Sequence, residues 1–367
     1  MHNGGKFVFV AMSGGVDSSV TAAILVERGY QVVGVTMQIW DPASAEAEAG
    51  GNYVSCCSLS AVDDARAVAG KLDIPFYVLN FRSLFRETVV EEFCREYLRG
   101  RTPNPCVLCN RKVKFAALLN KAMALGADFI ATGHYARIAF DRNLGRYVVK
   151  KARDARKDQT YFLYTLTQRQ LAHTLMPLGD YTKEEVRRMA AERGFKVAAK
   201  PESQEICFVP GSDYRAFLRR RTGKAMQPGP FLDLKGNEIG RHQGIAFYTI
   251  GQRRGLGLAL GQRVYVVDID PERNAVIVGP EEALFRSSLL AGDLNFILTE
   301  GLTGPERVQA QIRYNARPAP AVITPLAGGR VRVDFDKPQR AVTPGQAVVF
   351  YRGDYLLGGG TIEGFPD

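Results

Sequence analysis

The sequence predicts an α/β protein whose parallel sheet carries helices, followed by a small, mostly β central domain and a C-terminal β-barrel. Over the first 200 residues, short apolar runs alternate with amphipathic helical segments, which is typical of a parallel sheet with helices on both faces. Between residues 211 and 285 the composition shifts to glycine and arginine. From residue 286 onward, short strands are separated by Gly, Pro and Asp turns, as in small barrels. We therefore expect domains at 1–210, 211–285 and 286–367.

The elements of the first region follow one another in a regular order. The expected strands are Phe7–Met12, Gln31–Gln38, Pro75–Asn80 and Asp128–Thr132. The expected helices are Ser18–Arg28, Ala61–Leu72, Arg82–Leu98 and Lys114–Ala124. Glycines just past the last turn end two of these helices, at Gly29 and Gly126.

The later strands are shorter and lie between turn residues. They are expected at Arg263–Asp268, Ala275–Val278, Ala310–Tyr314, Ala321–Pro325, Gly329–Phe335, Ala347–Tyr351 and Tyr355–Ile362.

The parallel sheet of the first region predicts where a ligand binds, because ligands of such sheets lie at the carboxyl ends of the strands. Ser13–Ser19, Met37–Trp40 and Thr132–His134 are therefore expected on one rim around a single nucleotide, with Ala43–Asn52 as a mobile loop over it.

Composition limits the possible classes of protein. Hydrophobic residues make up 46% and charged residues 23% of the chain, as in soluble globular proteins. No apolar run is long enough to span a membrane, and a core strand begins so early that we expect neither a signal peptide nor membrane association, but a cytoplasmic protein. In that compartment cysteines are candidates for reactivity or metal binding rather than a disulfide framework. The six are Cys56, Cys57, Cys94, Cys106, Cys109 and Cys207.

Positive charge is concentrated in two segments of a chain whose net charge is +10. Arg137–Lys157 contains eight Lys or Arg against two Asp or Glu, and Gly211–Val264 contains ten against three. Either segment alone is compatible with a solvated face. Together, with aromatic residues interleaved, they indicate a polyanionic partner bound through its phosphates, which favours nucleic acid.

The segment Ser13–Ser19, with the sequence SGGVDSS, directly follows the first strand. Paired glycines allow a tight bend that turns several N–H groups to one point, and the following helix adds its positive dipole end. The plain alternative is a glycine turn before an ordinary helix. The Walker pattern G-x-x-x-x-G-K-[ST] is absent. The segment resembles the SGGxDS pyrophosphate loop of ATP pyrophosphatases, which implies cleavage of ATP to AMP and pyrophosphate and adenylation of a substrate.

A second group of reactive residues is formed by cysteines. Thr102–Asn110 is expected to be a proline-stiffened loop that presents Cys106 and Cys109 ahead of a basic helix start. Nearby cations and a helix N-terminus both favour the reactive thiolate. Cys207 lies almost a hundred residues later, and the sequence alone does not bring it to Cys109. A zinc half-site is the alternative for the C-x-x-C pair, but no second pair accompanies it. Cys94 is expected to be a small buried hydrophobic residue.

Eight motifs in fixed order carry a resemblance over essentially the whole chain. They are SGGVDSS, GVTMQIW, CCS, TPNPCVLCNRKVKF, ATGHYAR, KDQTYFL, SQEICFVPG and YTIGQRRGLG. This set resembles the tRNA-specific 2-thiouridylase (MnmA/TrmU) family of the PP-loop ATP pyrophosphatase superfamily. The resemblance implies a sheet of the adenine-nucleotide α-hydrolase-like type. It also implies that ATP and Mg²⁺ adenylate the C2 oxygen of the wobble uridine of Lys, Glu and Gln tRNAs, and that sulfur from a cysteine persulfide displaces AMP.

The resemblance also implies roles for individual residues. Cys207 would carry the persulfide and Cys109 would be the nucleophile that attacks it, with a Cys109–Cys207 disulfide as one end state. ATP would be bound by Ala11, Met12, Ser13, Gly14, Gly15, Val16, Asp17, Ser18, Met37 and Gly133. The target base or the surrounding tRNA would be contacted by Asn104, Pro105, Cys106, His134, Lys157, Asp158, Gln159, Arg313, Tyr314 and Gln346. Asp17 is a candidate Mg²⁺ ligand, or else a helix cap. The family often has aspartate where this chain has Cys106.

The expected partners are a tRNA anticodon stem-loop and a persulfide donor protein of a sulfur relay, and the expected state is a monomer. Three alternatives stay open at this point. An iron–sulfur cluster on Cys106, Cys109 and Cys207 is one, because three thiols suffice for a cluster with one open iron site. The loop SGGVDSS also suits amide-forming ligases of the same superfamily. A non-enzymatic RNA-binding protein is the third, although it would leave the nucleotide loop and the thiols without a role.

Overall fold

A computed structural model describes residues 5–40, 59–200, 206–209, 211, 213–223 and 226–366. The chain divides into two compact units. The first comprises Met1–Val89, Cys106–Ser212 and Asp354–Leu356, and the second comprises Val90–Pro105, Asp213–Gly353 and Leu357–Asp367. The predicted loop Ala43–Asn52 and the cysteines Cys56 and Cys57 lie outside the described residues. The domain boundaries near residues 210 and 285 stay a prediction.

A five-stranded sheet forms the centre of the first unit, in the order β3-β2-β1-β4-β7. Its strands are β1 (Phe7–Ala11), β2 (Gln31–Gln38), β3 (Phe76–Asn80), β4 (Phe129–Ala131) and β7 (Thr174–Leu175). Every neighbouring pair is parallel. The predicted parallel sheet is confirmed. Strand β7 was not predicted, because two residues are too few to show an alternating pattern in the sequence.

Helices and strands of the first unit share one apolar core. The helices of this core are α1 (Val16–Glu27), α2 (Leu59–Lys71) and α6 (Lys183–Glu192), and the unit also contains the short helix α5 (Gln168–Ala172). Val10 of β1, Leu25 of α1 and Val186 of α6 belong to the same buried cluster. The residues of α1 are buried on most sides, which fixes the orientation of the loop that precedes it.

Two longer helices contain stretches of wider, π-helical backbone. Helix α3 runs through Arg82–Phe85, Arg86–Val90 and Glu91–Leu98, so the predicted single helix is confirmed. Helix α4 runs through Pro105–Leu108, Cys109–Leu118 and Leu119–Ala124. The prediction of a loop over Thr102–Asn110 with a helix beginning near Lys114 is therefore wrong from Pro105 onward. Proline is well tolerated at the first helical position, where its missing N–H and fixed φ cost nothing.

A hairpin of the first unit was not expected from the sequence. It pairs β5 (Arg137–Asp141) with β6 (Arg146–Lys150) in antiparallel register. The Asp141 carboxylate accepts hydrogen bonds from the N–H groups of Asn143 and Leu144, which fixes the turn. The basic segment beginning at Arg137 is thus partly a two-stranded ribbon.

The second unit contains a short helix and two β systems. Helix α7 (Tyr214–Thr222) precedes a four-stranded sheet in the order β10-β11-β8-β9. The strands of that sheet are β8 (Gly229–Leu232), β9 (Glu238–His242), β10 (Tyr265–Asp270) and β11 (Ala275–Gly279).

The remaining strands close into a barrel. They follow the order β12-β15-β14-β13-β16-β17, and β12 also pairs with β17. They are β12 (Phe285–Phe296), β13 (Glu306–Gln311), β14 (Ala319–Leu326), β15 (Arg330–Arg340), β16 (Ala347–Arg352) and β17 (Tyr355–Gly364). The predicted barrel is confirmed, although β12 was missed and β13 ends before Arg313 and Tyr314. No helix among the described residues is long and apolar enough to cross a membrane.

Candidate active site

A cavity of about 330 Å³ lies at the carboxyl edge of the sheet in the first unit. Its walls come from the ends of β1, β2 and β4, from the start of α1 and from α4. Among the predicted site residues, those that line it are Ala11, Met12, Ser13, Asp17, Ser18, Met37, Cys109, Gly133, His134 and Gln159. Since β1 lies between β2 and β4, the cavity sits where open α/β sheets bind ligands. Its volume suits a small ligand such as a nucleotide.

The glycine loop between β1 and α1 is shaped by contacts that only glycine permits. Gly14 has a φ of +69°, and a Cβ there would lie 2.1 Å from the carbonyl oxygen of Ala61. Gly15 is the N-cap of α1. A Cβ on Gly133 would lie 2.9 Å from the backbone nitrogen of Ser18, so the end of β4 is packed directly on the first turn of α1. The N-terminus of a twelve-residue helix therefore faces the cavity, as in phosphate sites.

Hydroxyl groups fix the loop from inside. The Ser18 hydroxyl accepts a hydrogen bond from the Ser13 N–H at 3.1 Å and donates to the Gly15 carbonyl at 3.2 Å. Thr36 on β2 donates to the Met12 carbonyl at 2.7 Å. Thr36 also lines the cavity and was not predicted, because one threonine within a strand pattern carries no signal of its own. The loop is thus held in its bend by neighbouring elements.

Asp17 is engaged by two residues from distant parts of the chain. Lys183 Nζ lies 2.7 Å from its Oδ1 and 2.8 Å from its Oδ2, and the Tyr135 hydroxyl donates to Oδ1 at 2.7 Å. The alternative in which Asp17 caps α1 is wrong, since Gly15 holds that position without a side-chain bond. Tyr135 and Lys183 were missed. Tyr135 follows the ATGH motif, and the TKEE sequence that contains Lys183 signals a helix start but nothing about a cavity.

The donor set at Asp17 fits Mg²⁺ as a single ligand. Asp17 is the one carboxylate among the described residues that line the cavity. A carboxylate offers about four acceptor positions, and Lys183 and Tyr135 use three of them. Mg²⁺ commonly takes one or two carboxylates and completes its shell with phosphate oxygens and water. Among the described residues, no three His, Cys, Asp or Glu side chains come together as a metal site.

His134 lines the cavity next to Gly133. Its Nδ1 lies 2.6 Å from the Thr132 hydroxyl. Enclosure of the ring, followed by the positive charge of Lys114, holds the pKa of His134 well below its usual value. The imidazole is therefore neutral at pH 7, and Lys114 is a cation on the cavity wall.

The three cysteines of interest occupy different surroundings, and all are thiols in this structure. Cys109 is half-buried and lines the cavity, where the π-helical part of α4 begins. Cys106, one turn earlier, is exposed. Cys207 is half-buried and is not among the described residues that line the cavity. Its neighbour Phe208 is buried, with its ring centroid 5.6 Å from that of Phe85 and 6.2 Å from that of Trp40.

Cys94, on α3 in the second unit, is half-buried, and burial raises the pKa of its thiol. This agrees with a small apolar packing role rather than a reactive one.

Residues of the KDQ motif lie in the first unit close to Tyr135. The Gln159 side-chain oxygen accepts from the Tyr135 N–H at 3.0 Å, and Gln159 lines the cavity. The Asp158 carboxylate accepts from the Ala152 N–H at 2.8 Å, and burial raises its pKa. Lys157 is half-exposed. Asp158 thus ties down its own loop, while Gln159 reaches the cavity.

The remaining predicted tRNA contacts belong mostly to the second unit. The Gln346 side chain donates to the carbonyls of Thr102 and Pro103, at 2.9 and 3.3 Å. Those carbonyls immediately precede Asn104 and Pro105, so Gln346 fixes the backbone of this segment within the second unit.

Arg313 and Tyr314 lie in the turn after β13. Arg313 donates to the carbonyls of Arg340 and Ala341. Gln311 holds the turn by donating to the Tyr314 and Ala316 carbonyls, at 2.8 and 2.9 Å.

Family models match three consecutive parts of the chain. They are described as a tRNA methyl transferase HUP domain over residues 6–211, a tRNA methyl transferase PRC-barrel domain over 215–280 and an aminomethyltransferase beta-barrel domain over 286–362. A tRNA-specific 2-thiouridylase MnmA from Desulforamulus reducens is 62% identical over 358 residues, covering 98% of this chain and 97% of its own. The chain belongs to the tRNA-specific 2-thiouridylase family.

Other members of this family are similarly close. The tRNA-specific 2-thiouridylase MnmA from Pelotomaculum thermopropionicum is 62% identical over 360 residues, which cover 98% of each chain. Among solved structures, a 4-thiouridine synthetase–RNA complex with bound ATP aligns with a TM-score of 0.36 and 16% identity, over 60% of this chain and 51% of that one. At that level the alignment adds nothing to the family assignment.

Proposed function

We propose that this chain is an ATP-dependent sulfurtransferase that converts the C2 oxygen of the wobble uridine in Lys, Glu and Gln tRNAs to sulfur. One observation carries the proposal: residues of the glycine loop and Cys109 line the same cavity. Adenylation followed by attack of sulfur requires those two groups within reach of one substrate atom. The names of the full-length relatives agree with this activity.

ATP would be held by the loop from Ala11 to Ser18, with Met37 and Gly133 beside it. Backbone N–H groups and the N-terminus of α1 stabilise the charge that develops on the phosphates during adenylation. Asp17 would hold Mg²⁺, which supplies neutralisation of that charge when bound. The C2 carbonyl of uridine is a poor electrophile, and adenylation turns its oxygen into part of a good leaving group, AMP.

Sulfur would arrive as a persulfide on Cys207, loaded by a persulfide donor protein. The Cys109 thiolate attacks the inner sulfur of that persulfide, so the Cys109–Cys207 disulfide forms and the terminal sulfur leaves as hydrosulfide. Hydrosulfide displaces AMP at C2 and loses its proton, and an external thiol reduces the disulfide before the next turnover. Since Cys207 is not among the cavity-lining residues, the proposal requires it to approach the cavity during the reaction.

The tRNA anticodon stem-loop would be bound by the predicted contact residues of each unit. Asn104, Pro105 and Cys106 would contact the target base. His134 and Lys157 to Gln159 in the first unit, and Arg313, Tyr314 and Gln346 in the second, would contact the tRNA around it. A base must leave its stack to reach such a cavity, which is easiest in a single-stranded loop.

The test is a reconstituted reaction followed by nucleoside mass spectrometry. The protein is incubated with ATP, Mg²⁺, a persulfide donor and unmodified glutamate tRNA, and 2-thiouridine is expected only when all are present. Cys109→Ser and Cys207→Ser are expected to abolish the product and to leave part of the ATP cleavage. Cys94→Ser is the matched control and is expected to keep full activity. Wild-type protein that makes no 2-thiouridine overturns the proposal.

The same variants separate the alternatives. An amide-forming ligase needs no reactive cysteine, so it would keep its activity in Cys109→Ser and Cys207→Ser. An iron–sulfur mechanism requires iron bound to the active protein, which anaerobic purification with iron and absorbance measurements detects. Active protein without iron excludes the iron–sulfur alternative.

A further inference from the structure

A buried lysine lies directly behind the cavity. Lys183 is 7% exposed and is not among the described residues that line the cavity, whereas its partner Asp17 is on the wall. Its ammonium contacts both oxygens of the Asp17 carboxylate, at 2.7 and 2.8 Å. The two residues are 166 positions apart, so the pair joins the first turn of α6 to the first turn of α1.

Helix stability does not account for a lysine at this place. Lys183 is the first residue of α6, where the helix dipole disfavours a cation. The helix start is already fixed by the capping box between Thr182 and Glu185, and by the Lys183 N–H, which donates to Asp154 at 3.1 Å. An ion pair with one buried partner is also a weak source of stability, because desolvating the Lys183 ammonium offsets much of the attraction. The lysine therefore matters through what it does to Asp17.

The Asp17 carboxylate lies on the cavity wall, where its negative charge would oppose the binding of a nucleotide. The ligand proposed for this cavity carries a polyphosphate, and an uncompensated carboxylate on the wall would repel it. Lys183 compensates that charge from the side away from the cavity. The Tyr135 hydroxyl, 2.7 Å from Oδ1, fixes the orientation of the carboxylate.

We propose that Lys183 is a positioning residue that neutralises Asp17 and so lets the cavity accept the ATP polyphosphate before a metal ion arrives. This inference rests on the proposed function of the cavity as an ATP site. Lys183 acts through Asp17 and not by touching the phosphates. Its removal therefore weakens ATP binding only while the Asp17 carboxylate is present.

The experiment measures binding of ATP by titration calorimetry in EDTA, without tRNA, for wild type, Lys183→Met, Asp17→Asn and the double variant. Lys183→Met is expected to bind ATP at least tenfold more weakly than wild type, because it leaves one uncompensated negative charge. Asp17→Asn is expected to bind ATP at least threefold more tightly than wild type, because it leaves the Lys183 ammonium as an uncompensated positive charge. The double variant is expected to bind within about threefold of wild type, since both charges are gone. Adenosine, which lacks phosphates, is expected to bind all four alike.

Two controls accompany these binding measurements. Lys200→Met removes another lysine–aspartate pair of the same unit, Lys200 with Asp64 at 2.7 Å, and is expected to leave ATP binding unchanged. Thermal unfolding establishes that each variant is folded. If Lys183→Met does not fold, Asp17→Asn carries the test alone and is expected to bind ATP at least threefold more tightly than wild type in EDTA.

Three results would overturn the inference while wild type still binds ATP. They are an unchanged affinity in Lys183→Met, a double variant as weak as Lys183→Met, and a loss in Asp17→Asn equal to that in Lys183→Met. Wild type that binds no ATP would instead overturn the proposed function.

Discussion

At the scale of single residues, the ordered motifs identified the acidic residue of the cavity, Asp17, but not Tyr135 and Lys183, which contact its carboxylate. Asp17 belongs to a local pattern of seven letters, SGGVDSS, which the sequence displays directly. Lys183 reaches the same place from 166 positions away. A long-range pair of this kind depends on how α6 packs on α1, and no local pattern contains that information.

His134 gives a residue-scale prediction about pH. Burial and Lys114 lower the pKa of His134 in the folded protein, so the unfolded chain takes up a proton at a higher pH than the folded one. The free energy of unfolding is therefore unaffected by His134 above the unfolded pKa of about 6.5, and it decreases as the pH falls below that value. Wild type is expected to lose roughly 1 kcal/mol more stability than His134→Asn between about pH 7 and pH 5.5.

Denaturant unfolding of both proteins across this range measures the difference. His242, whose pKa is also lowered, is present in both, so its contribution cancels. Parallel curves for the two proteins would show that the imidazole is not kept neutral by the fold.

At the scale of elements, strands and helices with clear periodicity were predicted well, and the elements that depend on context were not. Gln31–Gln38 was predicted with its observed bounds. The start of α4 was missed because proline and asparagine near Cys106 are typical of loops, yet Pro105 is the first helical residue. The hairpin β5–β6 was missed because only three apolar residues lie in each strand, RIAFD and RYVVK, within a segment interpreted by its positive charge.

The glycine loop supplies an element-scale prediction. Gly14→Ala and Gly126→Ala both place a side chain at positive φ, +69° and +86°, which costs about 1–2 kcal/mol for an L-residue. Only Gly14 also faces a backbone oxygen at 2.1 Å, whereas a Cβ on Gly126 meets nothing within 4 Å. Gly14→Ala is therefore expected to lose clearly more unfolding free energy than its matched control, and to lose ATP binding as well. Equal losses in denaturant unfolding would contradict the close packing of the loop on α2.

At the scale of the whole molecule, the fold class of each region could be predicted from the local order of strands, helices and turns. That order is visible in the sequence without knowledge of long-range contacts. Strands alternating with helices predicted the parallel sheet, and regular short strands separated by turns predicted the barrel; both were found. The strand order β3-β2-β1-β4-β7 could not be predicted, because the order is set by which helices cover which face. The approach of Cys207 to Cys109 is likewise not specified by sequence spacing.

Net charge is the property of the whole chain that bears most directly on its partner. Arg253 and Arg254 are exposed and belong to the basic segment Gly211–Val264 of a chain with a net charge of +10. If they bind tRNA phosphates, each neutralised phosphate releases counterions, and the slope of log affinity against log salt changes by roughly 1 for each arginine–phosphate pair that is removed. Arg253→Ala/Arg254→Ala is therefore expected to weaken binding of unmodified glutamate tRNA and to flatten its salt dependence, with ATP affinity unchanged.

Arg28→Ala removes an exposed arginine at the far end of α1 from the glycine loop, and is expected to change neither quantity. Binding titrations at four or five salt concentrations measure both slopes, and a slope unaltered in the double variant would remove this segment from the tRNA interface.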